Sequence, residues 1–210
     1  MIKTARSRFV FTSVMLICFF SCFRVSHAEE PTVRKIWDDA PHNAFTDLAY
    51  WRGEVYCAFR EGSGHVPGTS GVDGTSRIIA SEDGETWRSV GLIAANEIDL
   101  RDPKLSVTPD DRLMVVMGGS YYEGTTLLKR VPQVSFLDDP EGEFSAPETA
   151  IIDPAIATST DWLWRVTWHE DTAYGVVYQP NPDAWGLQLV SSKDGIHFDH
   201  VATLDLPGRP

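Results

Sequence analysis

Cysteine and basic residues are scarce in this sequence. Its 210 residues include 3 cysteines, and 18 basic residues stand against 30 acidic ones. Two of the cysteines, Cys18 and Cys22, lie within the first 28 residues, so the remainder of the chain retains only Cys57. A disulfide framework is therefore excluded, and a hydrophobic core has to stabilise the fold. The histidines do not have the spacing of metal ligands either, so we expect no metal site and no cofactor.

The chain also lacks an apolar run long enough for a transmembrane helix, which needs roughly 20 residues. The longest run, at 9–23, has 15 residues. It follows a basic start with Lys3, Arg6 and Arg8 and precedes small residues that end at Ala28. This order is typical of a secretory signal peptide at 1–28, and a retained N-terminal anchor is the alternative. We expect a secreted or periplasmic protein without membrane contact after signal cleavage.

Positive charge becomes scarcer still if the signal peptide is removed. Residues 1–28 contain four basic residues and no acidic one, so the remainder has 14 bases, 30 acids and a formal charge of −16. Nucleic acid and anionic membranes repel such a chain, so neither is expected as a partner. The oligomeric state has no signature in the sequence.

A sustained helical period is absent, and short alternating strands recur in its place. Four strands and two turns occur in each of three successive rounds, with turn signals such as Arg52-Gly53, Asp83-Gly84 and Pro109-Asp110. The aromatic residues after the second turn of each round are Trp87, Phe144 and Phe198, at spacings of 57 and 54. Four-stranded units of this length are typical of β-propeller blades, and a β-sandwich is the alternative. We predict an all-β propeller with a lead-in at 29–41 and blades at about 42–95, 96–155 and 156–206.

Two of the turns share a polar pattern. Ser81, Asp83 and Gly84 precede Trp87 as Ser192, Asp194 and Gly195 precede Phe198, whereas 135–145 keeps only the Ser, the Gly and the Phe. The Ser and Asp can cap backbone N–H groups of the turn, and the Gly can adopt a positive φ. The pattern resembles the Asp-box (BNR) hairpin of the sialidase superfamily over residues 42–206. That resemblance implies a six-bladed propeller of which three blades are present, so we expect an N-terminal half that has no turnover by itself.

The resemblance further implies an exo-acting glycoside hydrolase that removes terminal sugars, acidic ones included, with carbohydrate as its substrate. By the match, Arg60 would bind substrate and Asp73, in the Gly-rich loop that follows, would donate the proton to the leaving oxygen. The alternatives are that Asp73 is a turn residue beside Gly74 and that Arg60 forms a structural ion pair with Glu61.

A second charged cluster, Arg101-Asp102-Pro103-Lys104, begins the inner strand of the second blade. Charges at this position are costly unless they meet a ligand or each other. The tetrad resembles the motif of five-bladed fructan-cleaving hydrolases, whose Asp stabilises the transition state. Arg101 and Asp102 are thus candidate substrate-binding residues, and an Arg101–Asp102 ion pair is the alternative.

The corresponding points of the other two blades provide the remaining candidates. Arg165 and Trp164 lie in the third blade, near Trp162 and Trp168, and Asp47 lies in the first, with His42 at the strand entrance. Aromatic faces can stack on sugar rings, and Arg can pair with a carboxylate. The remaining histidines, at 65, 169, 197 and 200, are expected on the surface or in loops.

The sequence also departs from the sialidase pattern. Where those enzymes have Arg-Ile-Pro on the first inner strand, this chain has Phe45-Thr46-Asp47-Leu48. Their nucleophilic Tyr and its partner Glu come from later blades and have no counterpart here. Sialic acid is therefore not assigned as the substrate, and a non-catalytic propeller that binds glycans or proteins is the alternative function.

Overall fold

The computed structural model describes residues 32–68, 74–180 and 185–205, and every helix-or-strand element within them is a β-strand. The first sheet contains β1 (His42–Trp51), β2 (Glu54–Gly62), β3 (Thr75–Ser81) and β4 (Arg88–Ile93). The second contains β5 (Asp99–Val107), β6 (Leu113–Glu123), β7 (Thr126–Arg130), β8 (Gln133–Leu137) and β9 (Glu148–Thr149). The third contains β10 (Ile151–Ile152), β11 (Trp162–His169), β12 (Thr172–Gln179), β13 (Gly186–Ser192) and β14 (His197–Thr203). The predicted signal peptide and Asp73 lie outside the described residues.

Each sheet contains a blade of four antiparallel strands in simple up-and-down order. The orders are β1-β2-β3-β4, β5-β6-β8-β9 and β11-β12-β13-β14, with β7 on the edge of β6 and β10 beside β14. The first strand of each blade is the inner one, and β5 contacts both β1 and β11. The prediction of an all-β propeller with about three four-stranded blades is therefore confirmed. No helix in the described ranges is long and apolar enough to cross a membrane.

Burial on both faces explains why β6 is a continuous apolar run instead of an alternating one. Leu113, Val115 and Met117 point to the core between blades one and two, which also contains Tyr56 and Ile78. Met114 and Val116 point to the core between blades two and three, together with Val177 and Phe198. A strand that is covered on both sides has no solvent face on which to place polar residues. Blade two is thus the central layer of the described chain.

The two polar turns form the same hydrogen-bond network. In blade one, Asp83 Oδ1 accepts hydrogen bonds from the N–H groups of Glu85 and Thr86, and Ser81 Oγ accepts one from Gly84 N–H. In blade three, Asp194 Oδ1 and Ser192 Oγ accept the equivalent bonds, and the glycines have φ of 71° and 78°. Burial raises the pKa of Asp194, but the N–H donors of its turn lower the pKa by more, so that it lies well below the usual range.

Two of the three aromatic residues predicted after the turns, Phe144 and Phe198, lie against the neighbouring layer, whereas Trp87 packs against Cys57 and Ile79 of its own blade. Phe198 is 1% exposed in the core between blades two and three. Phe144 packs on Gly91 of blade one, where a Cβ would come within 2.8 Å of the Phe144 ring. Phe144 and Phe198 thus fill the gaps between sheets, because a large ring at the start of a returning strand can reach across the interface.

The outer part of blade two departs from the four-strand expectation. The predicted bounds of blade two, about 96–155, include Ile151 and Ile152, whereas these residues form β10 and pair in parallel with β14 of blade three. The cause is burial, since Ala150 and Ile152 belong to the core that the two blades share. The short strand β7, which pairs with the extended end of β6, has no counterpart in the sequence pattern.

Candidate functional site

The three inner strands share one irregularity at the same point. Pairing with the second strand slips by one residue between Ala44 and Asp47 in β1, between Arg101 and Lys104 in β5, and between Leu163 and Val166 in β11. Each slip is a β-bulge, which bends a strand and re-aims side chains, commonly beside active sites. The bulged pairs are Phe45-Thr46, Asp102-Pro103 and Trp164-Arg165.

The first residue of each bulge points into a common cavity. Phe45, Asp102 and Trp164 all line a cavity of about 660 Å³. Phe45 and Asp102 have φ of 64° and 45°, a left-handed conformation that is uncommon for residues other than glycine. Such strain persists where surrounding structure enforces it and clusters at functional sites. The proline that follows Asp102 fits here because a bulge does not require its missing N–H.

The polar wall of the cavity contains Asp102, Arg101, Arg130 and His65. The Arg101 guanidinium donates to the hydroxyl of Tyr122 at 2.7 Å and to the backbone oxygen of His65 at 2.6 Å, while its Nε, like that of Arg130, is buried without a partner among the described residues. The alternative of an Arg101–Asp102 ion pair is not formed within the described chain. The Arg101 guanidinium is therefore fixed in place at the wall of the cavity.

The carboxyl group of Asp102 is perturbed by its position. Burial raises its pKa, and the nearby charges of Arg101 and Lys104 lower it by less, so the pKa lies above the usual range. Tyr178 is also in the cavity, and burial followed by the charge of Asp102 raises the pKa of its phenol. A phenol with a raised pKa stays protonated, so Tyr178 is suited to donate a hydrogen bond and unsuited to attack as a phenolate.

The aromatic wall comes from blade three. Trp162 is 6% exposed and packs under Gly118, where a Cβ would come within 2.6 Å of the indole, so it is mainly a packing residue. Trp164 is 45% exposed and Trp185 is 37% exposed, so both present ring surface to a ligand. Trp168, in contrast, packs in the core between blades two and three.

Asp47 and Arg165 meet each other below the cavity. Arg165 donates to Asp47 Oδ1 at 2.8 Å, and the backbone N–H of Leu105 donates to Asp47 Oδ2 at 2.9 Å. One carboxylate thus joins the inner strands of all three blades. Neither Asp47 nor Arg165 belongs to the lining of the cavity, and a role of these two residues in substrate binding stays a prediction.

Arg60 is buried beneath the loop that carries His65. Arg60 and Asp99 are both 0% exposed and form two hydrogen bonds of 2.7 and 2.9 Å, while a third runs from Arg60 to the backbone oxygen of Gly64. An added Cβ at Gly74 would collide with both Arg60 Nε and the Asp99 carboxylate. The ion pair therefore anchors both described ends of the loop around Asp73. Glu61, the partner considered from the sequence, binds Arg77 instead.

The structure brings Arg101, Asp102 and Trp164 together in one cavity and leaves Arg60, Asp47 and Arg165 outside its lining. It also adds residues that sequence reasoning missed, namely Phe45, His65, Arg130, Tyr178 and Trp185. His65 lies in an exposed loop, as the sequence predicts, and its ring packs edge-on against Phe45 at 5.6 Å. A positive-φ bulge has no sequence signal at Phe45, so only the repeat alignment with Asp102 could have suggested it.

No protein-family model and no curated protein matches this sequence. Solved structures do match its fold. They include a Hadza microbial sialidase at 14% identity and a TM-score of 0.61, covering 79% of this chain and 38% of that chain. A family 117 glycoside hydrolase from the marine bacterium Zobellia galactanivorans matches at 15% identity and 0.56, covering 76% and 54%. A family 32 β-fructofuranosidase from Bombyx mori matches at 11% and 0.55, covering 78% and 35%.

The similarity at these low identities concerns the fold. This chain has a propeller-type fold that is shared with glycoside hydrolases of several families. It spans between about a third and just over half the length of those three proteins.

Proposed function

We propose that this chain supplies the substrate cavity of an exported, sialidase-like exo-acting glycoside hydrolase. The observation that carries the proposal is the position of Asp102, which a strained bulge directs into a cavity with aromatic and cationic walls. Ligand cavities for small molecules are mostly apolar, with a few convergent polar groups and perturbed titratable residues. Carbohydrate is the ligand class that combines apolar ring faces with many hydroxyl groups.

The residues divide into four roles in this proposal. Asp102, as carboxylate, faces the anomeric carbon and stabilises the positive charge that develops there during cleavage. Arg101, Arg130 and His65 donate hydrogen bonds to sugar oxygens, and the positive charge of the two arginines favours acidic sugars. Trp164 stacks on the apolar face of the ring. Asp73, predicted as the proton donor, retains that role as part of the proposal.

Binding to the purified chain tests the site directly. Intrinsic tryptophan fluorescence should change saturably with at least one of three terminal sugars, supplied as methyl glycosides of fructofuranose, galactose and N-acetylneuraminic acid. D102N should weaken that binding, whereas D199N, an exposed carboxylate on β14, should bind like the wild type. The proposal fails if none of the three sugars binds or if D102N binds as well as D199N.

Hydrolysis distinguishes the enzyme from a binding protein. The 4-nitrophenyl glycosides of the same sugars should be cleaved by the catalytically complete protein, and D102N should lower kcat by about 10²–10³, the cost of losing one charge-stabilising group. The second candidate, a non-catalytic glycan-binding propeller, is favoured by one observation. Asp102 is the single carboxylate among the described residues of the cavity, and glycoside hydrolysis ordinarily uses two. Sugar binding without any turnover would support that candidate.

A further inference from the structure

The apolar wall of the cavity extends outward across blade three. Tyr178 on β12 pairs with Trp162 on β11 and with Leu187 on β13, so the three side chains lie on one face of the sheet. Pro180 and Trp185 continue the same wall just beyond the ends of β12 and β13. Because neighbouring strands lie about 4.8 Å apart, the wall spans roughly 10 Å from β11 to β13.

The two ends of this wall differ in chemistry. At the inner end are Asp102 and Arg101 on β5, with His65 bound to Arg101 through its backbone oxygen. Arg130 lies there too, with its guanidinium 5.3 Å from the Trp162 ring. At the outer end, the described lining of the cavity is apolar. The inner end can therefore recognise and activate a bond, whereas the outer end can only contact a ring face.

The size of the cavity agrees with a ligand of more than one ring. Its volume of about 660 Å³ lies in the middle of the range of about 300–1,000 Å³ that is typical of sites for drug-sized ligands, which are larger than one sugar ring. Trp164 lies on β11 and Trp185 beside β13, two strand spacings apart, so the wall has room for a sugar ring on each indole.

We infer that the cavity has two sugar subsites, an inner one between Asp102 and Trp164 and an outer one on Trp185, and that its ligand is a glycan of at least two units. The inference rests on the proposed function, since it specifies the ligand of the same cavity. The terminal sugar occupies the inner subsite, and the next unit stacks its ring on Trp185.

Calorimetric titration with ligands of two lengths tests the outer subsite. The short ligands are the three methyl glycosides named above, and the longer ligands with the same terminal sugars are 1-kestose, galactobiose and sialyllactose. In the wild type, the longer ligand should bind about 3- to 10-fold more tightly than the methyl glycoside of the same terminal sugar, as expected for one stacked ring. W185A should abolish this difference while leaving the affinity for the short ligand within about twofold, and W185F should retain part of it.

Two further variants serve as controls. W164A should weaken the binding of short and longer ligands equally, since both occupy the inner subsite. Y50A removes an aromatic ring that is 69% exposed on β1, outside the cavity, and should change neither affinity. If W185A leaves the length difference intact, or weakens both ligands equally, the outer subsite is refuted while the proposed function stands. If no ligand binds the wild type, both fail together.

Discussion

The buried ion pair between Arg60 and Asp99 gives the sharpest prediction for stability. Both side chains are 0% exposed, and two hydrogen bonds of 2.7 and 2.9 Å join them. R60M keeps most of the aliphatic stem but leaves the Asp99 carboxylate buried without its cation. Breaking one side of such a pair costs about 3–5 kcal/mol. For a chain of this size, each kcal/mol shifts Tm by about 2–4 °C, so Tm should fall by roughly 6–20 °C.

Urea unfolding followed by circular dichroism measures this loss. The matched control is K193M, which breaks an ion pair with Asp171 whose side chains are 67% and 78% exposed and should cost less than about 1 kcal/mol. The double variant R60M/D99L replaces both charges with apolar groups and should be less damaging than R60M alone, since no unpaired charge remains. Two results would contradict this prediction. One is that R60M lowers the free energy of unfolding no more than K193M does. The other is that the double variant loses as much as R60M and D99L lose together as single variants.

Three smaller effects follow from groups near the axis and in the turns. D47A should lower the free energy of unfolding by about 1.5–3 kcal/mol because it removes a charged acceptor from Leu105 N–H. R165M should cost under about 1 kcal/mol. Equal losses of the two variants in urea unfolding would contradict this order. Burial raises the pKa of Asp194, but the hydrogen-bond donors of its turn lower it below the unfolded value. The Asp194 carboxylate therefore stabilises the fold above a pH of about 3.9. This contribution is lost as the pH falls through the folded pKa. Thermal melts between pH 2 and 5 should therefore show a smaller acid loss in D194N, and identical slopes would exclude the effect. Burial raises the pKa of Asp102, so sugar affinity should fall on acidification at a higher pH than it would for a free Asp. If D102N does not flatten the dependence of sugar affinity on pH, another group is responsible for the titration.

The fold was accessible from the sequence because its signals are local. Asp83 and Asp194 form their hydrogen bonds within a few residues, and the aromatic residues that follow mark a regular spacing. Turn chemistry of this kind is encoded in adjacent positions, so it survives without knowledge of the tertiary structure. The parallel pairing of Ile151 and Ile152 with blade three could not be predicted, since it depends on a neighbouring sheet.

The site was only partly accessible because its geometry is set by bulges and distant partners. The charged neighbours of Asp102 indicate a functional position in the sequence. Its counterpart Phe45 carries no such chemical signal, and only the pairing register of the strands shows that it occupies the equivalent bulge. Arg60 forms its ion pair with Asp99, which is 39 residues away in sequence, and not with the adjacent Glu61. A sequence shows which residue types are costly to bury, whereas the fold decides which of them meet.

The apolar run in β6 affects how the protein can come apart. Residues 113–117 are covered by blade one on one side and by blade three on the other. Detaching either neighbouring blade would therefore expose one face of the strand to water. A five-residue apolar stretch without charge or proline is prone to aggregate once exposed. Partial opening is thus unfavourable as well as hazardous, and the three sheets should unfold in a single cooperative step. The amide hydrogens of β6 would then exchange with solvent only through complete unfolding of the described chain.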